Sequence, residues 1–178
     1  AYGGPAARRA AVAEVGGAVL PVDYGYVSLN VDKAWLERQR RAAPASLDEL
    51  ARPEWAGRLV VPSPATSSPG LAFLLATIGG LGEAEAFDWW ARMRANRLKV
   101  VKGWSEAYYT EFSRNGGTRP LVVSYASSPA AEVFYAKDRP AEPPTANLYL
   151  KGGVYRQVEG VALVRGGGQR EAAGRFIE

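Results

Sequence analysis

The chain has 178 residues, 47% of them hydrophobic and 22% charged, and its 20 glycines and 12 prolines follow no repeat. That composition excludes a disordered or fibrous protein and fits one ordinary globular domain, or slightly more. The apolar runs fall well short of the ~20 residues of a membrane-spanning helix. The net charge of +4 is scattered without a Lys/Arg cluster, which argues against a nucleic-acid partner.

Histidine and cysteine are both absent. An imidazole-based triad and thiol chemistry are therefore excluded, and zinc, haem and iron–sulfur sites lose their usual ligands. No metal site or resident cofactor is expected. The chain begins without Met and stops inside a helical pattern at Gly174-Arg175-Phe176-Ile177-Glu178. A piece of a longer protein is expected, and the lack of a leader carries no weight.

Taken in chain order, the Ala- and Gly-rich start is weakly patterned, and Tyr24 to Val31 alternates as a strand. Ser46-Leu47-Asp48-Glu49 is a capping box that opens a helix ending near Pro53. Leu59-Val60-Val61 is a short buried strand. Ser67-Ser68-Pro69-Gly70 opens an apolar helix to Ile78, with Gly79-Gly80 as its stop. Glu83 to Asn96 is a second helix, acid-first and arginine-last as the dipole favours, with Phe87, Trp89, Trp90 and Met93 as packing residues. Leu98 to Val101 is a strand, Ser105 caps a helix running to about Asn115, and Leu121 to Tyr125 is a strand followed by a helix through Ala136. Lys137 to Ala146 reads as a loop, Asn147 to Leu150 and Val158 to Val164 as strands, and Gln169 onward as helix. Trp35 and Trp55 read as lids over the core. This order predicts an α/β domain with a mixed, mostly parallel sheet flanked by helices.

One arrangement occurs three times. A buried strand ends, hydroxyl and aromatic residues follow, and a helix starts, at Ser63 to Ser68, Gly103 to Ser105 and Tyr125 to Ser128. Ligands of open α/β sheets bind beyond the carboxyl ends of strands. Thr66, Ser67, Trp104, Tyr125, Ser127 and Ser128 are the candidate binding residues on this ground, with Tyr108 or Tyr109 one turn into the helix after Trp104. The competing reading is plain capping, because serine is a favoured cap whether or not a ligand exists. Trp104, flanked by Gly103 and Ser105, is placed to line a crevice, and one of Tyr108 and Tyr109 should face it. Gly103-Trp104-Ser105-Glu106-Ala107 approaches a G-x-S-x-G nucleophile elbow, but Ala107 stands in the fifth position and no histidine can act as base. Asp23, Glu106 and Glu159 are isolated acids, and Gly166-Gly167-Gly168 lacks the companions of a phosphate loop.

The strings Pro21-Val22-Asp23-Tyr24-Gly25-Tyr26, Thr66-Ser67-Ser68-Pro69-Gly70, Lys102-Gly103-Trp104-Ser105-Glu106-Ala107-Tyr108 and Ser124-Tyr125-Ala126-Ser127-Ser128-Pro129-Ala130 resemble the periplasmic thiamine-binding proteins of bacterial ABC importers, in order and spacing. The resemblance implies a type II periplasmic binding fold, two α/β lobes about a hinged cleft, of which this chain would be mainly the second lobe. Residues 1–22 would be a remnant of the first lobe and the approach to the hinge, 23–158 the second lobe, and 159–178 a return toward the first. Trp104 and Tyr125 would contact the thiamine rings, and Ser67 the hydroxyethyl or phosphate end. Ala131 departs from the pattern, standing where the family places a ligand-facing tyrosine.

The implied function is non-enzymatic: the substrate-binding component of an ABC importer, periplasmic or otherwise outside the cytoplasm. Its ligand would be thiamine or a thiamine phosphate and its partner the membrane permease. An exposed cleft face would also favour self-association of the isolated lobe. The rival readings are a lobe of the same fold for another solute, such as a ferric complex or a phosphorylated metabolite, and a serine hydrolase built on Ser105.

Overall fold

In a computed structural model of the chain, which describes residues 19–177, two short Leu-Val-Val runs become strands at the centre of a sheet. They are β2 (Leu59–Pro62) and β4 (Leu121–Tyr125). With β1 (Leu20–Asp32), β3 (Lys99–Val101) and β5 (Thr145–Leu148), the strand order is β3-β2-β4-β1-β5. β2 is parallel to both β3 and β4, whereas β1 is antiparallel to β4 and β5. Of these five strands β1 alone runs against the rest, so the sheet is mixed, as expected.

The described residues fall into two compact units. Tyr26–Tyr155 carries the sheet just described. The other comprises 19–25 and 156–177, with most of β6 (Tyr155–Val161), which pairs with β1, and the last helix, Arg170–Ile177. The weakly patterned first residues, 1–18, lie outside the described ones.

Helices follow the strands as the capping signals direct, with three corrections. α1 (Lys33–Gln39) has no break before it, because Asp32 ends β1 and also caps the helix, accepting from Trp35 N at 3.1 Å. α2 (Leu47–Leu50) begins at the capping box, where Ser46 Oγ accepts from Glu49 N at 3.0 Å and Glu49 Oε2 accepts from Ala45 N at 2.9 Å. α3 (Ser68–Leu81) runs through the expected Gly79-Gly80 stop and ends at Gly82, whose φ of +91° suits glycine. Gly80 has a packing reason instead: a Cβ there would lie 2.3 Å from the Gly152 Cα. α4 (Glu83–Ala95) buries Ala86, Trp89 and Met93, and this stripe passes Phe87 by, leaving it 53% exposed rather than packed.

The strand alternation separates two faces. Val27, Leu29, Val31, Leu59, Val61, Leu121 and Val123 join the main core with Phe73, Trp89 and Met93. Val60, Val101 and Val122 face the other way and pack with Ala107, Tyr108 and Phe112. Trp35 and Trp55 are members of the main core, and arginines cover them: the Arg41 guanidinium lies 4.4 Å from the Trp55 ring and that of Arg58 5.3 Å from Trp35. The second face of β1 is polar yet buried, at Ser28, Asn30 and Asp32. Among the described residues Ser28 Oγ and Asn30 Oδ1 have no hydrogen-bond partner.

Urea denaturation should separate three substitutions. Trp89→Ala should cost about 3–5 kcal/mol, because Trp89 is fully buried and its indole donates to Leu47 O at 2.7 Å, while Phe87→Ala should change stability by less than about 0.5 kcal/mol. Ser28→Ala, which deletes an unpartnered buried hydroxyl, should be neutral or stabilising by about 1 kcal/mol. A loss of more than that would mean the hydroxyl has a partner.

Candidate functional site

Parallel β2, β3 and β4 end on one edge of the sheet, and each feeds a loop and then a helix. After β3 the chain forms the short helix α5 (Trp104–Glu106) and widens at once into a π-helical turn, Ala107–Glu111. Phe112 N donates to Ala107 O, five residues back, at 3.0 Å. The single helix expected to run from Ser105 to Asn115 is thus broken. Phe112 turns extended, drives its ring into the second core cluster, and a 3₁₀ turn over Ser113–Asn115 follows. Gly103 takes the cap position expected of Ser105.

The wide turn decides where the aromatics go. In a regular helix Tyr108 would sit one turn from Trp104 while Tyr109 pointed away. Here both rings meet the indole. Tyr108 stacks on it with centroids 5.0 Å apart and 22° between planes, and Tyr109 meets it edge-on at 5.4 Å. Tyr125, from the end of β4, leans against it at 5.9 Å. The indole is held at its nitrogen, where Trp104 Nε1 donates to Ser124 Oγ at 2.8 Å, and Ser124 Oγ lies 2.9 Å from Ser128 Oγ.

Opposite these rings stands α6 (Ser128–Tyr135), started by Ser127 and Pro129. Ser128, Ala131, Glu132, Tyr135 and the following Ala136 line a cavity of about 440 Å³ that Trp104, Tyr108, Tyr109 and Tyr125 also line. That size lies in the ~300–1,000 Å³ range of small-molecule sites. Arg114 and Asn115 reach it from the 3₁₀ turn, and Asn115 Nδ2 also donates to Tyr108 O at 2.9 Å. Tyr108 OH donates to Glu132 Oε1, and Thr145 Oγ1 donates to Glu132 Oε2 at 3.0 Å. Burial, and then the hydrogen bond and negative charge of Glu132, push the Tyr108 phenol far above its ordinary value of 10.0.

Of the residues expected at a site, Trp104, Tyr108, Tyr125, Ser127 and Ser128 line this one cavity, whereas Thr66 and Ser67 do not. Thr66 Oγ1 donates to Lys102 O at 2.6 Å, tying the loop after β2 to the loop after β3. Ser67 and Ser127 hold cap positions, but neither side chain makes a capping hydrogen bond, so simple capping does not account for them. The sequence reading missed Glu132, Tyr135, Arg114 and Asn115. A signal for the first two existed: Ser128, Ala131, Glu132, Tyr135 and Ala136 follow the spacing of one helix face.

A family model of bacterial extracellular solute-binding proteins matches residues 6–178. The thiamine-binding periplasmic protein of Salmonella typhimurium is 34% identical over 159 residues, which span 89% of this chain and 45% of that protein. Its Escherichia coli counterpart is 33% identical over the same shares. A solved periplasmic thiamin binding protein superposes with TM-score 0.76 at 32% identity, covering 92% of this chain and 48% of that one. Iron-bound HitA from Pseudomonas aeruginosa, at 20% identity, shares the fold with TM-score 0.66 over 90% of this chain and 50% of that one. The chain therefore spans about half the length of the relatives it matches.

The Tyr108 environment sets an alkaline limit. A phenol raised by folding contributes stability that is fully present below 10.0 and is lost as pH climbs toward the folded value. Unfolding free energy should fall with pH in that window, and Tyr108→Phe should reduce the slope by about one proton. Urea denaturation at graded alkaline pH checks this, and an unchanged slope in the variant would contradict it.

Proposed function

The chain belongs to the family of bacterial extracellular solute-binding proteins, and on that premise we propose that it binds thiamine or a thiamine phosphate at the aromatic cavity. The chain would serve as part of the substrate-binding component of an ABC importer. The cluster of Trp104, Tyr108, Tyr109 and Tyr125 around one cavity carries the reading. Thiamine offers two flat rings, one a cationic thiazolium. Aromatic faces attract such a cation by about 0.5–2 kcal/mol per good contact. The half-buried indole has one face on Tyr108, and its nitrogen is fixed by Ser124. Little side-chain freedom remains to be lost when a ring packs against it.

The hydroxyls of Ser127 and Ser128 lie on the same cavity and suit the polar groups of the ligand. Ser67, off the cavity, is reserved in this reading for the hydroxyethyl or phosphate end. A solute carrier holds its ligand and releases it unchanged, so exposed Ser105 has no catalytic part. The compartment is periplasmic, as in the thiamine-binding relatives, and the partner is the importer's membrane permease. The open aromatic wall also favours self-association in concentrated solution.

Trp104 provides the test. Among the five tryptophans it is the cavity residue, so thiamine should quench its fluorescence and leave the other four unchanged. Trp104→Phe should keep part of the binding, and Trp104→Ala should weaken it by about 1–3 kcal/mol, the scale of ring stacking on an aromatic. Quenching and affinity untouched by Trp104→Ala would sink the assignment.

A further inference from the structure

The cavity has an electrical asymmetry that its aromatic walls do not explain. Glu132 lies four residues after Ser128 on the cavity side of α6, and its carboxylate is half-buried. Each of its oxygens has a partner, Tyr108 OH for Oε1 and Thr145 Oγ1 for Oε2. Both donors are neutral. Among the described residues no lysine or arginine forms an ion pair with Glu132. Arg114, which also lines the cavity, is exposed and makes no such pair, so solvent screens its charge.

A partly desolvated anion without a counter-ion is costly, and the cost falls when a cation enters beside it. The two hydroxyl donors fix the direction of the carboxylate without neutralising it. Tyr108 ties it to the ring that stacks on Trp104, so the charge and the aromatic wall are held as one assembly. Aromatic faces stack on neutral rings and attract cationic ones more, and a carboxylate adds a second, separate attraction that only a cation receives.

We infer that the Glu132 carboxylate is the counter-charge of this cavity, selecting flat ligands that carry a fixed positive charge over neutral rings of the same shape. The inference rests on the aromatic cavity being the ligand site proposed above, and it assigns the specificity of that site to one residue. Thr145 and Tyr108 are positioning residues in this scheme, because they act through the carboxylate.

The test compares two probes of equal size, N-benzylpyridinium and neutral benzylpyridine, in mildly alkaline buffer where the second is unprotonated, with thiamine as a third arm. The full chain should bind the pyridinium roughly fivefold more tightly than the neutral probe, and added salt should narrow the gap. Glu132→Gln should lose most of that preference by weakening the cation alone. Glu132→Asp, which keeps the charge, should retain part of it and guards against a folding defect in the first variant. Equal binding of both probes by the unmodified chain would overturn the inference, and so would a Glu132→Gln variant that weakens both probes equally. If thiamine fails to bind while the Glu132-dependent pyridinium preference persists, the thiamine reading falls and the charge selection stands. If thiamine binds equally to the unmodified chain and Glu132→Gln and no preference appears, the reverse holds.

Discussion

The hydrogen bond from the Trp104 indole to Ser124 Oγ is the contact around which the cavity is built. It joins the start of α5 to the penultimate residue of β4. With the indole nitrogen fixed, Tyr108 can stack, Tyr109 can meet the edge, and Tyr125 closes the group from the neighbouring position on β4. Ser124 is itself fully buried, and its hydroxyl is shared with Ser128 at the start of α6. One strand residue thus sets the positions of both walls. Removing its hydroxyl would leave the half-buried indole N–H without its acceptor, a loss felt by the whole cluster.

Much of the sheet is legible because its strands announce both faces. β2 and β4 both open on an unbroken Leu-Val-Val run, as strands covered on both sides do, and the Ser-Pro starts of α3 and α6 follow within a few residues. What the sequence hides has local causes. α1 escapes notice because Asp32 is both the last residue of β1 and the cap, so no turn residue separates strand from helix. Gly79-Gly80 imitates a stop, but Gly80 is there to let Gly152 approach. The late strands are shifted by a few residues because they are partly exposed and their alternation is weak.

The site is legible in its aromatics and serines and illegible in its charge. Trp104 stands out because a tryptophan between Gly103 and Ser105 has no helical stripe to join. Tyr109 could not be placed from periodicity, since a π turn changes the angle per residue and no residue type marks that change here. Glu132 reads as an ordinary exposed helix acid until Thr145 and Tyr108, distant in sequence, are seen to hold it. Thr66 shows the opposite failure. Its hydroxyl suits a ligand, but it is taken up by Lys102 O in the neighbouring loop.

α6 is only eight residues long, and one face of it supplies Ser128, Ala131, Glu132 and Tyr135 to the cavity while Ala130 and Phe134 stand exposed. Neither the main core nor the second cluster includes a residue of this helix. Ser128 and Glu132 are tied to the sheet through Ser124 and Thr145, whereas substitutions at Ala131 and Tyr135 meet few packing constraints from it. A related chain could drift toward a new solute by rewriting this short stretch, enlarging Ala131 or discharging Glu132, while the tryptophan and strand that anchor the opposite wall stay as they are. Variation and stability are divided between the two walls of a single cavity.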